Sequence, residues 1–167
     1  YMLGLLYFHG QGVEKDLKKA HYWFKQASSP AVPQADRILG IYAENGLIGK
    51  PDLKLAFEKY RDAARRDDPV AQQLLGSLYF SGRGVKQDYQ QAMKWYKFAV
   101  EHQNPEAAFN LGYMYCEGLG AKQDFNEGYK WLEKASSWGD GKAEYYLGKY
   151  AFLGKRGKRD IAKARHH

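Results

Sequence analysis

Five aspartates stand 36 residues apart in this chain, at Asp16, Asp52, Asp88, Asp124 and Asp160. Carboxylates are candidate general acids and bases, but that chemistry needs two of them converging on one reacting bond. Copies one period apart fall on successive structural units, and a capping role, in which the side-chain oxygen accepts an orphan amide at a helix start, accounts for every copy. The lone cysteine, Cys116, would be a nucleophile only as a thiolate with a base beside it. No histidine is placed as that base, and a position near a helix C-terminus sets the negative end of the dipole against a thiolate. Cys116 therefore reads as a small packing residue.

His9, His21 and His102 are scattered and form no HExxH pattern, so no metal site is expected. Glycine pairs such as Gly82-Arg83-Gly84 resemble phosphate-cradling loops, yet they lack the third glycine of GxGxxG and the Gly-Lys-Ser/Thr ending of a P-loop. They read as helix breakers. An enzyme would need a unique constellation that breaks the repeat, and none is present. The chain is read as non-catalytic, with no catalytic residue and no cofactor.

One irregular charged feature remains, the turn Gly154-Lys155-Arg156-Gly157-Lys158-Arg159. Four cations there, Lys155, Arg156, Lys158 and Arg159, are a candidate docking site for an acidic protein, an anionic lipid or nucleic acid. The net charge of +7 does not extend this reading to the whole chain. From Lys142 onward there are eight basic residues against two acids, so the preceding 141 residues are nearly neutral. Nucleic-acid and membrane partners are accordingly disfavoured. Every apolar cluster is cut by a charge or glycine well short of the roughly 18 residues a membrane span requires.

The elements that carry these residues follow from the period. Leu-Gly recurs at Leu3-Gly4, Leu39-Gly40, Leu75-Gly76, Leu111-Gly112 and Leu147-Gly148, and Gly10, Gly46, Gly82, Gly118 and Gly154 keep the same step. Within a unit, Ala71, Leu75, Leu78 and Tyr79, then Ala92, Trp95, Tyr96 and Ala99, fall at helical intervals. Asp68-Pro69 and Asn104-Pro105 read as an N-cap followed by a first-turn proline, which opens a helix A. Glycine closes it, and the periodic aspartate caps helix B. A glycine inside helix A costs about 0.5–1 kcal/mol relative to alanine, so its recurrence implies close approach of helix B at that point. A hairpin cannot bury its apolar face alone, and stacked hairpins share one core. The expected fold is all-α, a right-handed α-solenoid of 36-residue helix-turn-helix repeats. As a single domain, 1–167, it divides into a partial repeat at 1–32, repeats at 33–68, 69–104 and 105–140, and a partial repeat at 141–167.

The pattern Ala71, Leu75-Gly76, Tyr79, Gly82-Arg83-Gly84-Val85, Asp88, Ala92, Trp95 and Ala99 resembles the Sel1-like repeat family, a relative of the tetratricopeptide repeats. Residues 105–140 are similar, through Ala107, Leu111-Gly112, Tyr115, Gly118-Leu119-Gly120, Asp124, Trp131 and Ala135. The second unit departs: Tyr42 comes one place early, the glycines spread to Gly46 and Gly49, and Lys59 replaces tryptophan. Ser28-Ser29-Pro30-Ala31-Val32-Pro33 should cut the preceding helix B short. Both ends look cropped, as in a fragment of a longer protein, and His166-His167 matches the remnant of a purification tag.

The resemblance implies a protein-protein interaction scaffold or adaptor that binds a peptide or partner protein; for a bacterial chain it implies a periplasmic or secreted location. By analogy with tetratricopeptide arrays, helix A lines the concave face, and one stripe of it faces the groove. That stripe includes Arg37 and Ile41, Gln73 and Ser77, Phe109 and Tyr113, and Tyr145 and Lys149. Aromatic anchors beside polar handles favour an extended peptide.

Overall fold

The computed structural model describes residues 1–154, and among them there are helices and no strands. The chain divides into two compact units, Tyr1–Gln87 and Asp88–His167. In the first lie α1 (Met2–His9), α2 (Leu17–Ala27), α3 (Pro33–Asn45), α4 (Leu53–Ala64) and α5 (Pro69–Ser81). In the second lie α6 (Tyr89–Glu101), α7 (Pro105–Glu117), α8 (Phe125–Ser137) and α9 (Gly141–Phe152). The basic turn Lys155, Arg156, Lys158 and Arg159 lies outside the described residues.

Helix boundaries follow the residues that satisfy orphan backbone groups. Asp16, Asp52, Asp88 and Asp124 each accept the amide three residues on, at 2.9, 2.9, 2.9 and 3.0 Å, and so open α2, α4, α6 and α8. Asp68 and Asn104 do the same for α5 and α7, each with proline at the first helical positions. Gly10, Gly46, Gly82 and Gly118 close the A helices in the left-handed region.

Within each unit, an A helix and the B helix after it touch at the periodic glycine. A Cβ placed on Gly4 or Gly40 would stand 2.7 Å or 2.5 Å from the Phe24 or Tyr60 ring, and in the second unit one on Gly112 would stand 2.7 Å from Leu132. The partner always lies 20 residues ahead, so the small residue is a packing requirement. Ala20, Ala56, Ala71, Ala107, Ala135 and Ala143 are fully buried and serve the same close spacing. Successive repeats meet at the second glycine of a pair. A Cβ on Gly84 would stand 2.3 Å from the Leu53 carbonyl oxygen, and one on Gly120 would stand 2.8 Å from that of Tyr89, so this glycine seats on the first turn of the preceding B helix.

The proline-rich joint acts as expected. α2 stops after 11 residues where α6 and α8 run to 13. α3 then starts from Val32 with no side-chain cap. An ion cluster stands where that cap is missing. Asp36, 2% exposed, accepts from Ser28 Oγ and Lys59 Nζ at 2.8 Å each and from Arg66 at 2.5 Å. Arg66 also donates to the Ser29 carbonyl at 2.7 Å, tying the joint to α4. Lys59, the residue in the tryptophan slot, is thus matched by an acid on α3.

Candidate functional site

The sequence-derived stripe behaves differently in the two units. In the first unit its polar members are occupied by their own neighbours. Arg37 Nε lies 3.0 Å from the carboxylate of Asp68, itself buried as the cap of α5. Gln73 is 5% exposed and donates to Ser77 Oγ at 3.1 Å. Ile41 is half-buried. Close by, Glu44 accepts the Tyr60 hydroxyl at 2.6 Å and pairs with Arg83 at 3.0 Å. The Arg37–Asp68 and Glu44–Arg83 pairs brace α3 against the two ends of α5.

In the second unit the stripe is a continuous cluster of rings. Phe109 and Tyr113 of α7 stack with centroids 6.4 Å apart, and Tyr146 of α9 packs edge-on against both, at 5.3 and 5.6 Å. Tyr145 and Tyr150 extend the cluster from Tyr146 at 5.4 and 5.8 Å, within the range of favourable aromatic pairs. Exposure runs from one end to the other: Phe109 is 9% exposed, Tyr113 is half-buried and Tyr145 is 63% exposed. Phe109 supports the surface from below, and Tyr145 presents it.

Two ammonium groups border these rings. Lys142 Nζ lies 5.8 Å from the Phe109 centroid, and Lys149 Nζ lies 5.1 Å from that of Tyr146 and 6.0 Å from that of Tyr150. Both lysines are exposed, and each gains from a ring face without being buried by it. The Tyr150 hydroxyl donates to Glu117 at 2.5 Å. Burial, with the Glu117 charge and Tyr146 adding, raises the Tyr113 pKa, so that phenol stays a neutral hydrogen-bonding group.

Tyr146, Tyr150 and Lys142 did not emerge from the stripe. Tyr146 occupies a slot held by Ile38, Leu74 and Asn110 in earlier repeats, mostly apolar and outside the stripe, so periodicity points to packing; the signal against that was three tyrosines within six residues of α9. Lys142 sits a full turn before the stripe begins.

Cys116 is fully buried, and burial pushes its thiol up to about 12, with Glu117 and Asp124 adding to the shift. It packs against Gly128, where a Cβ would stand 2.3 Å from its sulfur. Gly128 takes the place of a periodic alanine, so cysteine fills the volume that alanine gives up. Among the described residues no three His, Cys, Asp or Glu side chains come together as a metal site, and no helix is long and apolar enough to cross a membrane.

The Sel1 repeat family model matches residues 1–29, 33–68, 69–104, 105–140 and 141–167. The chain belongs to the Sel1 repeat family. Such repeats form non-enzymatic α-solenoid scaffolds in general and are commonly protein-protein interaction modules. No curated protein sequence matches the chain. Among solved structures, the array is similar to a protective antigen of uropathogenic Escherichia coli strains displaying an SLR fold, at 34% identity over 99% of this chain, TM-score 0.91. It is similar also to a Sel1 repeat protein from Oxalobacter formigenes, at 36% identity over 99% of this chain, TM-score 0.89. Cysteine rich protein B of Helicobacter pylori, 24% identical over 83% of this chain and 99% of its own, shares the fold, with TM-score 0.61. The Sel1 array described here spans 36% of the E. coli protein's length and 67% of the Oxalobacter protein's.

Proposed function

We propose that this array is a non-catalytic adaptor that holds a peptide segment of a partner protein along its A helices, with the principal contact on Tyr113, Tyr145 and Lys149. The observation that carries the proposal is the ring cluster of the second unit, which ends in a tyrosine left 63% exposed. An exposed ring is a large, rigid contact surface with few rotatable bonds to freeze on binding, which is why tyrosine is favoured at recognition surfaces. Phe109 contributes as the floor of the cluster. Arg37, Ile41, Gln73 and Ser77 form the corresponding stripe of the first unit, with Arg37 already engaged by Asp68.

The test is an affinity pull-down from the source organism's lysate, comparing wild type with Tyr145→Ala/Lys149→Ala. Phe109 stays in place because its removal would hollow the core. Both altered side chains are exposed, so the variant folds, and it should lose the prey that wild type retains. Identical prey would refute this site.

A further inference from the structure

We infer that the seam between the first two repeats is an acid-sensitive hinge, at which protonation of His21 swings the α1–α2 hairpin away from α3 about the proline joint.

The fifth position of the four B helices holds His21, Phe57, Met93 and Tyr129. Phe57 meets Tyr79 of α5 edge-on at 5.4 Å, and Tyr129 meets Tyr150 of α9 at 6.4 Å, so this slot fills the seam towards the next A helix. Met93 is buried as well. His21 takes the same place, half-buried, with its ring 5.4 Å from that of Tyr42 on α3. Of the four it is the one whose charge changes near neutral pH.

A neutral imidazole suits that seam and an imidazolium does not. Burial opposes the charged form, and the Lys25 ammonium one turn further along α2 opposes it again, so the His21 pKa lies below its ordinary value. The carboxylates of the packed elements are already engaged. On α3, Asp36 is taken by Ser28, Lys59 and Arg66, and Glu44 by Tyr60 and Arg83, while Arg37 faces Asp68. Tyr42 brings a phenol that burial pushes up to about 12, its buried hydroxyl without a hydrogen-bond partner. On α1, His9 is the charged side chain, and the Tyr7 ring lies under the Lys19 ammonium. On α2, Asp16 accepts the Lys19 amide at 2.9 Å and lies 3.6 Å from its ammonium.

The seam is loose at one end and pinned at the other. In later repeats Gly84 and Gly120 seat on the first turn of the preceding B helix, but here that slot holds Ile48, which is 42% exposed. A Cβ on the displaced Gly49 would meet nothing within 4 Å, so the α3–α4 turn does not grip the start of α2 in that way. At the far end, Arg66 holds the Ser29 carbonyl and Asp36 holds Ser28. The Asp36 carboxyl is kept below its ordinary value, so this pin survives mild acid. His21 lies between the two ends, and the joint is the pivot. The open form has the ordinary imidazole pKa of about 6.5 and the closed form a lower one, so closure is complete above about pH 6.5 and is lost as pH falls towards the lower value. One proton shifts the opening equilibrium by at most about tenfold per pH unit.

Hydrogen exchange of the whole chain at about pH 7.5 and about pH 5.5, corrected for the intrinsic effect of pH, tests the hinge. Amides of α1 and α2 should lose protection severalfold in acid while those of α4 and α5 keep theirs. His21→Phe, which copies Phe57, should remove the difference. Lys25→Gln, at an exposed site, relieves the repulsion and should shrink it, an effect that a merely structural histidine does not predict. Should His21→Phe fail to fold, Lys25→Gln and an NMR titration of the wild-type imidazole decide the matter; the ring should titrate below about 6.5. Equal protection of α1 and α2 at both pH values, the same loss in His21→Phe, a loss spread evenly into α4 and α5, or an imidazole that titrates at its ordinary value or above would each overturn the inference.

Discussion

Replacing Gly40 by alanine would place a methyl group 2.5 Å from Cε1 and 2.6 Å from Cδ1 of Tyr60. Carbon atoms pack comfortably at about 3.5–4.0 Å, so the ring or the helix must give by about 1 Å. Tyr60 has little freedom to do so. It is fully buried, its hydroxyl donates to Glu44 at 2.6 Å, and Glu44 is held in turn by Arg83 at 3.0 Å. Three terms decide the sign. Alanine gains about 0.5–1 kcal/mol over glycine inside a helix. Overpacking costs about 1–3 kcal/mol. A lost hydrogen bond to a charged acceptor adds about 1.5–3 kcal/mol. From mid-range values the variant is destabilised by about 1 kcal/mol if the hydroxyl bond survives the shift and by about 3.5 kcal/mol if it breaks. For a chain of this size that is a fall in midpoint of roughly 3–10 °C. Thermal unfolding followed by circular dichroism measures it, with Gly141→Ala as the control of opposite sign. A Cβ on Gly141 meets nothing within 4 Å, so that variant should gain up to about 1 kcal/mol. A Gly40→Ala protein that melts at or above the wild-type temperature would refute the packing account of the periodic glycine.

The Asp36 cluster makes a pH prediction. Burial opposes the Asp36 anion, but hydrogen bonds from Lys59, Ser28 and Arg66 outweigh it and hold the carboxyl below its ordinary value. A folded-state pKa below the unfolded one contributes stability above about pH 3.9 that is lost as pH falls through the folded value. The stability difference between wild type and Asp36→Asn should therefore shrink as acid is added below about pH 4, and a difference independent of pH would contradict the assignment. Cys116, buried with its thiol near 12, should resist iodoacetamide at pH 8 in the folded protein and react once urea unfolds it; rapid stoichiometric labelling of the native chain would count against this packing. Asp52→Ala removes the cap of α4 and should cost about 1 kcal/mol in urea unfolding, and no cost would mean that solvent satisfies the Leu55 amide equally well.

Most of the repeat's local architecture could be read from residue types, because each signal acts over a few residues. An aspartate caps the helix it precedes, a glycine ends the helix it follows, and a periodic glycine in mid-helix has no explanation except a neighbour. Gly40 pointed to a close approach from spacing alone, though not to Tyr60 as the group approached. The proline joint announced a shortened helix, while the buried carboxylate of Asp36 that ties the joint to α4 through Ser28, Lys59 and Arg66 was invisible. Asp36 and Lys59 are 23 residues apart, and each alone reads as a surface charge.

The candidate site divides along the same line. A variable stripe on helix A follows from the period, since positions freed from packing are free to differ. Which members of the stripe are available is settled only where other elements arrive. Arg37 looks like a free cation until the buried cap of α5 meets it, and Phe109 looks like an anchor until α9 covers it. Tyr146 reads as core until α7 supplies the rings that make it the centre of a surface cluster. The sequence by itself determined the repeat and the helix ends, through backbone hydrogen bonding and the volume of small residues. Only tertiary structure decided which side chains are engaged and which are presented, because burial and ion pairing depend on groups that lie distant along the chain.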